Sequence, residues 1–111
     1  MANVVDILAG LRPDYLSRLE LRVSRLRISA DVLRCRALEP EEYDEVHRAA
    51  HSMASSAAIF GYANLSAAAR AAEATFENRG NAIAQQLACL LRLVDEGQNV
   101  VTWSAFITRS T

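Results

Sequence analysis

Apolar residues recur along the chain at spacings of three and four, the period of amphipathic helices, and no stretch alternates as a strand would. Val4, Ile7, Leu8 and Leu11 predict a short first helix that ends near Gly10. Pro13 separates it from the next, because proline suits a helical first turn. Leu16, Leu19, Val23, Leu26, Ala30 and Leu33 then form an unbroken stripe, with Arg18, Glu20, Arg22 and Arg25 off it, so this long helix turns one face inward. Pro40 with Glu41, Glu42 and Asp44 marks a new N-terminus, since negative charge in a first turn complements the helix dipole. Tyr43, Val46, Ala50, Met53, Ala57 and Phe60 repeat the stripe until Gly61 offers a stop. A further helix from about Asn64 carries Leu65, Ala68, Ala69, Ala72 and Phe76 on one face and ends near Asn78-Arg79-Gly80. The last carries Ile83, Leu87, Leu90, Leu91 and Val94 and stops at Gly97.

Helices over residues 13–36, 40–60, 64–77 and 81–96, joined by short connections, cover their stripes most economically as an all-α antiparallel four-helix bundle. Leu19, Val23, Leu26, Val46, Met53, Phe60, Leu87 and Leu91 are its expected core. The tail from Gln98 to Thr111 contains Val100, Val101, Trp103, Phe106 and Ile107, too apolar for a free linker. It is expected to form a short extra helix against its own bundle, with a partner or dimer contact as the alternative.

Composition narrows the function. The 111 residues make one domain, 1–111. No apolar run approaches the roughly 20 residues that span a bilayer, so no membrane partner is expected. Met1-Ala2-Asn3-Val4-Val5-Asp6 lacks the basic region and long apolar stretch of a signal peptide, which predicts a cytoplasmic protein. Cys35 and Cys89 form no CxxC pair and read as structural thiols. The net charge of −1 supplies no electrostatic footprint for nucleic acid, and a monomer is expected. The chain has no lysine, so its fixed positive side-chain charge comes entirely from arginine.

The distinctive chemistry lies between Ala50 and Gly61. His51 is turned about 100° from the inward residue Ala50, which places it beside the seam and facing water. Asp44, His47 and Arg48 share its stripe toward the N-terminus, and Ala54, Ser55 and Ala58 toward the C-terminus. Everything C-terminal to the imidazole is small, so another protein's active site could approach it closely, as phosphoryl transfer to a side chain requires.

This segment resembles the signature of histidine phosphotransfer (HPt) domains, His-x-Leu-Lys-Gly-Ser-x-x-x-x-Gly, in register as well as in residue type. His51 falls on the phosphorylated histidine, Met53 on the apolar position two later, Ser56 on the serine five later and Gly61 on the glycine ten later. The continuation Phe60-Gly61-Tyr62-Ala63-Asn64-Leu65 and the helix carrying Ala72-Glu73 are also similar to the family. Ala54 replaces the usual lysine and Ser55 the usual glycine.

The resemblance implies that His51 accepts a phosphoryl group through Nε2 from a response-regulator receiver aspartate and passes it to another receiver. The chain would then be a phosphocarrier with no kinase activity, and Mg²⁺ would come from the partner receiver. A hybrid histidine kinase is a further candidate partner. Arg48, Ala54, Ser55, Ser56, Ala58, Gly61 and His47 would border the phosphate or the docking face. A lysine at position 54 would lie on the histidine's face and change transfer by about tenfold or less, since about 1.4 kcal/mol corresponds to a factor of ten.

Other readings are weaker. His47 and His51, with Asp44, have the spacing of a metal site but lack the HExxH glutamate, so no metal is expected. A dimerising kinase domain would place an acidic residue and a downstream proline after its histidine, where Ser52 and Ala54-Ser55-Ser56 stand here. The strongest alternative of a different class is a helical adaptor that docks receivers or a kinase without accepting phosphate.

Overall fold

A computed structural model, described over residues 3–78 and 80–110 with side chains as far as Phe106, contains four helices and no strand among the described residues. They are α1 (Val4–Leu33), α2 (Pro40–Ile59), α3 (Ala63–Glu77) and α4 (Ile83–Ser110). Each packs antiparallel to the next in chain order, and α4 closes back on α1, which gives the expected all-α antiparallel four-helix bundle. The α2–α3 pair makes the most extensive contact, whereas α1 touches α2 sparsely. Arg79 of the expected third-helix end and the Ile107 side chain of the tail lie outside the described residues.

Both ends of the chain differ from expectation. The short first helix and the second are one, with Pro13 inside it. Asn3 caps it, its side chain accepting a hydrogen bond from the Asp6 N–H at 2.9 Å. Proline deletes only the bond to the Ala9 carbonyl, and because Ala9 and Pro13 are both exposed, solvent can satisfy that carbonyl. Ser17 Oγ donates to the Pro13 carbonyl at 3.1 Å in the next turn.

At the other end α4 runs through Gly97 into the tail, so Gly97 is not a stop. It is a contact point: a Cβ built there would lie 2.6 Å from Val23 Cγ2 on α1. The missing side chain lets α4 approach α1 closely. Beyond this crossing Val100 and Val101 still pack on the core, whereas Trp103 and Phe106 stack on each other, exposed, with ring centroids 5.7 Å apart. The long α1 and α4 stretch the molecule to 49 × 26 × 20 Å.

Leu19, Val23, Leu26, Val46 and Met53 are buried as expected. Phe60, Leu87 and Leu91 are only half-buried. The inward line of α4 passes instead through Gln86, Leu90, Leu93, Val94 and Gly97. Helix α4 is apolar on more than one side, so its stripe alone leaves its rotation open. Gln86 can sit inside because its Nε2 donates to the Asn81 carbonyl at 2.9 Å.

Two corners fix α2. At its start Glu39 and Glu42 form a capping box behind Pro40. Arg36 grips Glu42 through two hydrogen bonds of 2.7 and 3.2 Å. That guanidinium, with the Glu39 N–H, holds the Glu42 carboxyl below its usual range. At its end Gly61 adopts φ +83°, and the Tyr62 and Gly61 N–H groups bond the Ala57 and Ala58 carbonyls at 2.8 and 3.2 Å. Tyr15 of α1 stacks on Phe60 at this corner with centroids 4.3 Å apart. Burial there, reinforced by Tyr62, pushes the Tyr15 hydroxyl up to about 12.

Substituting Gly97→Ala should cost about 1–3 kcal/mol of stability through overpacking, although helix propensity alone favours alanine by about 0.5–1 kcal/mol. In a Val23→Ala background the same change should be neutral or stabilising. Denaturant midpoints of the four proteins measure this, and equal effects in both backgrounds would contradict the contact.

Candidate functional site

The inner faces of α2 and α3 consist largely of small residues. Ala50, Ala54 and Ala57 on one, and Ala68, Ala69 and Ala72 on the other, are all buried. Small side chains let the two backbones approach, and Ser66 Oγ of α3 donates directly to the Ala54 carbonyl of α2 at 2.9 Å. Antiparallel packing then sets residues along the outer edge of this seam opposite one another.

His51 stands on that edge with its side chain 69% exposed. Its Nδ1 is hydrogen-bonded to Glu73 Oε2 of α3, whose side chain is only 22% exposed. A carboxylate accepts and cannot donate, so a neutral ring making this contact carries its proton on Nδ1 and its lone pair on Nε2. Nε2 is then the ring nitrogen that this contact does not engage. One turn earlier His47 Nε2 lies 3.9 Å from Glu77 Oε1, so two histidines and two glutamates line the seam as a ladder.

Glu73 is the site neighbour that single-helix periodicity does not reveal, because its contact with His51 depends on pairing between helices. A signal was available. His47 and His51 are spaced i, i+4 beside inward Ala50, and Glu73 and Glu77 are spaced i, i+4 beside inward Ala72 and Phe76. Complementary pairs on consecutive antiparallel helices are candidates for contact.

The remaining expected residues divide by direction. Ser55, Ala58 and Gly61 are exposed like His51. Ser55 Oγ donates to the His51 carbonyl at 3.5 Å. Ala58 and Gly61 line a shallow hollow of about 360 Å³ with Ala63, Ser66, Ala67 and Arg70 of α3, so the surface C-terminal to the imidazole is low. Arg70 is a cation at this hollow that the sequence reading did not single out.

Arg48 is exposed but turns the other way. It lines the α1–α2 groove of about 590 Å³ with Arg22 and Arg25. Ser56 also faces α1: it is half-buried, donates to the Ser52 carbonyl at 2.9 Å and lines a cleft with Tyr15. Its register in the motif therefore does not place it beside the imidazole. His47 is half-buried and spends its ring on the α2–α3 seam rather than on the docking face. Among the described residues the group able to hold a metal is His47, Glu73 and Glu77, so Asp44 and His51 are replaced by two glutamates in that earlier grouping.

Ala54 requires the largest correction. It is 5% exposed and points into the seam, not onto the histidine's open face, because 300° of helical turn carries it inward beside Ala50 and Ala57.

A family model described as the Hpt domain matches residues 11–103. Among curated proteins and among solved structures, none matches the chain.

Replacing Ala54 by lysine should destabilise the bundle by about 1–3 kcal/mol, since its stem must enter a seam filled by alanine. An unchanged denaturant midpoint for Ala54→Lys would contradict the inward placement.

Proposed function

The chain belongs to the Hpt domain family, whose members serve histidine phosphotransfer in two-component signalling, and on that premise we propose that His51 accepts a phosphoryl group from a receiver-domain aspartate and gives it to a second receiver. The observation that carries the reading is the Glu73 contact, which leaves Nε2 of an exposed imidazole with its lone pair outward.

Nε2 attacks the phosphorus of the aspartyl phosphate in line. The P–O bond to the aspartate breaks, and its electron pair returns to the carboxylate. The new N–P bond leaves the ring cationic with its proton on Nδ1, where the Glu73 carboxylate stabilises it. In the reverse sense the ring recovers its pair as a second aspartate attacks, so no proton need move. Catalysis then consists of positioning and charge stabilisation around the phosphoryl oxygens. Mg²⁺ is assigned to the receiver.

Ala54 does not argue against this role. Cations are present in the grooves on both sides of α2, Arg48 on the α1 side and Arg70 on the α3 side, and an exposed ion pair is worth only about 0–1 kcal/mol. The low hollow beyond Ser55 and Ala58 suits close approach by a folded partner. No described helix is long and apolar enough to cross a membrane.

The test is incubation with a phosphorylated receiver and detection of acid-labile, base-stable label. Wild type should be labelled, and His51→Gln should take none while keeping its helical content. His47→Gln should retain label. Glu73→Gln keeps a neutral acceptor but loses the charge facing the ring, and should slow labelling by roughly tenfold or more, because hydrogen bonds to charged groups are worth about 1.5–3 kcal/mol. No label on wild type from any receiver of the source organism would favour the adaptor, and label persisting in His51→Gln would move the nucleophile elsewhere.

A further inference from the structure

We propose that His47, Glu73 and Glu77 form a site for a divalent transition-metal ion of the zinc type, which competes with His51 for Glu73. The ladder along the α2–α3 seam brings one imidazole and two carboxylates together, and one ligand atom from each lies within 4.8 Å of the others. His47 Nε2 and Glu77 Oε1 are already 3.9 Å apart. A tetrahedral zinc with bonds of about 2.0–2.2 Å places its ligand atoms about 3.4 Å apart, so small side-chain rotations close the site.

The state of His47 points to a ligand. Its Nε2 is shielded from solvent and has no hydrogen-bond partner. Such an atom costs free energy unless something satisfies it, and a metal ion does so through the nitrogen lone pair. The donor set selects the kind of metal. Imidazole nitrogen with carboxylate oxygen suits Zn²⁺, whereas Mg²⁺ and Ca²⁺ favour oxygen alone. Glu77, exposed at the end of α3, leaves room for water as a fourth ligand.

Glu73 belongs to both arrangements. When its carboxylate gives electron density to a cation it becomes a weaker acceptor for the His51 Nδ1–H, so an occupied site would slow phosphoryl acceptance. This coupling rests on the phosphocarrier reading; the metal site itself does not.

Calorimetric titration of ZnCl2 into the full chain tests the site. Wild type should take up one ion per chain. His47→Gln and Glu77→Gln should each weaken uptake by roughly tenfold or more with helical content unchanged, and His51→Gln, which frees Glu73, should leave uptake as tight as wild type or tighter. No uptake, equal uptake in the His47 and Glu77 variants, or loss confined to His51→Gln would overturn the site. Labelling from a phosphorylated receiver, with and without ZnCl2, tests the competition separately. Wild type should slow severalfold and Glu77→Gln should not. Equal slowing of both would place the effect on the receiver and overturn the competition. Absence of label without zinc would instead count against the phosphocarrier reading while the calorimetry still judged the site.

Discussion

The close approach of α2 and α3 is the constraint on which the site depends. Both inner faces are built largely of alanine, so the two backbones come near enough for Ser66 to hydrogen-bond an α2 carbonyl. With larger residues there, the helices would stand further apart and Glu73 could not hold Nδ1 of His51. The family's serine and glycine positions have related uses in the frame: Gly61 turns the chain so that α3 returns along α2, and Ser56 faces α1. Stability and chemistry thus meet in one seam, whose interior is apolar and whose outer edge carries the ionisable groups.

Helix α1 contributes differently. It meets α2 sparsely, and two contacts in its middle help to hold it: the Gly97 crossing with α4 at Val23 and the Tyr15–Phe60 stack at the α2–α3 corner. Arg12 reinforces the second point, since its guanidinium sits over the Phe60 and Tyr62 rings and donates to Tyr62 Oη at 3.3 Å. From Arg22 toward the C-terminus of α1 runs the arginine-lined groove beside Arg48. Helix α2 is therefore packed closely on its α3 side and left open on its α1 side.

The stripes of α1, α2 and α3 were legible because each has a single apolar face: Leu19 to Leu33, Tyr43 to Ala57 and Leu65 to Phe76 are inward as their spacing requires. Helix α4 was read only in part: Leu90 and Val94 are inward as their spacing requires, but Leu87 and Leu91 are as apolar as Leu93, and only contact with α1 and α3 selects among them. Gly10, Pro13 and Gly97 were misread as breaks for a common reason. Local propensity treats glycine and proline as punctuation, whereas an exposed turn tolerates Pro13 and a close crossing requires Gly97. At the site, the motif singled out His51, which stands exposed on α2, and Gly61, which turns the chain after it. Register in a motif does not report direction, so Ala54 and Ser56 were placed beside an imidazole that neither faces, and Glu73, known only as part of a similar helix, acquires its role once two helices are paired.

The central claim is that Glu73 presents Nε2 of His51 as the nucleophile. Long-range proton–nitrogen correlation on nitrogen-labelled protein reads the tautomer directly. The expected spectrum has the proton on Nδ1 and the lone pair on Nε2 before transfer, with phosphorus coupled to Nε2 afterward. A proton on Nε2 in the resting protein, or phosphorus on Nδ1, would contradict it.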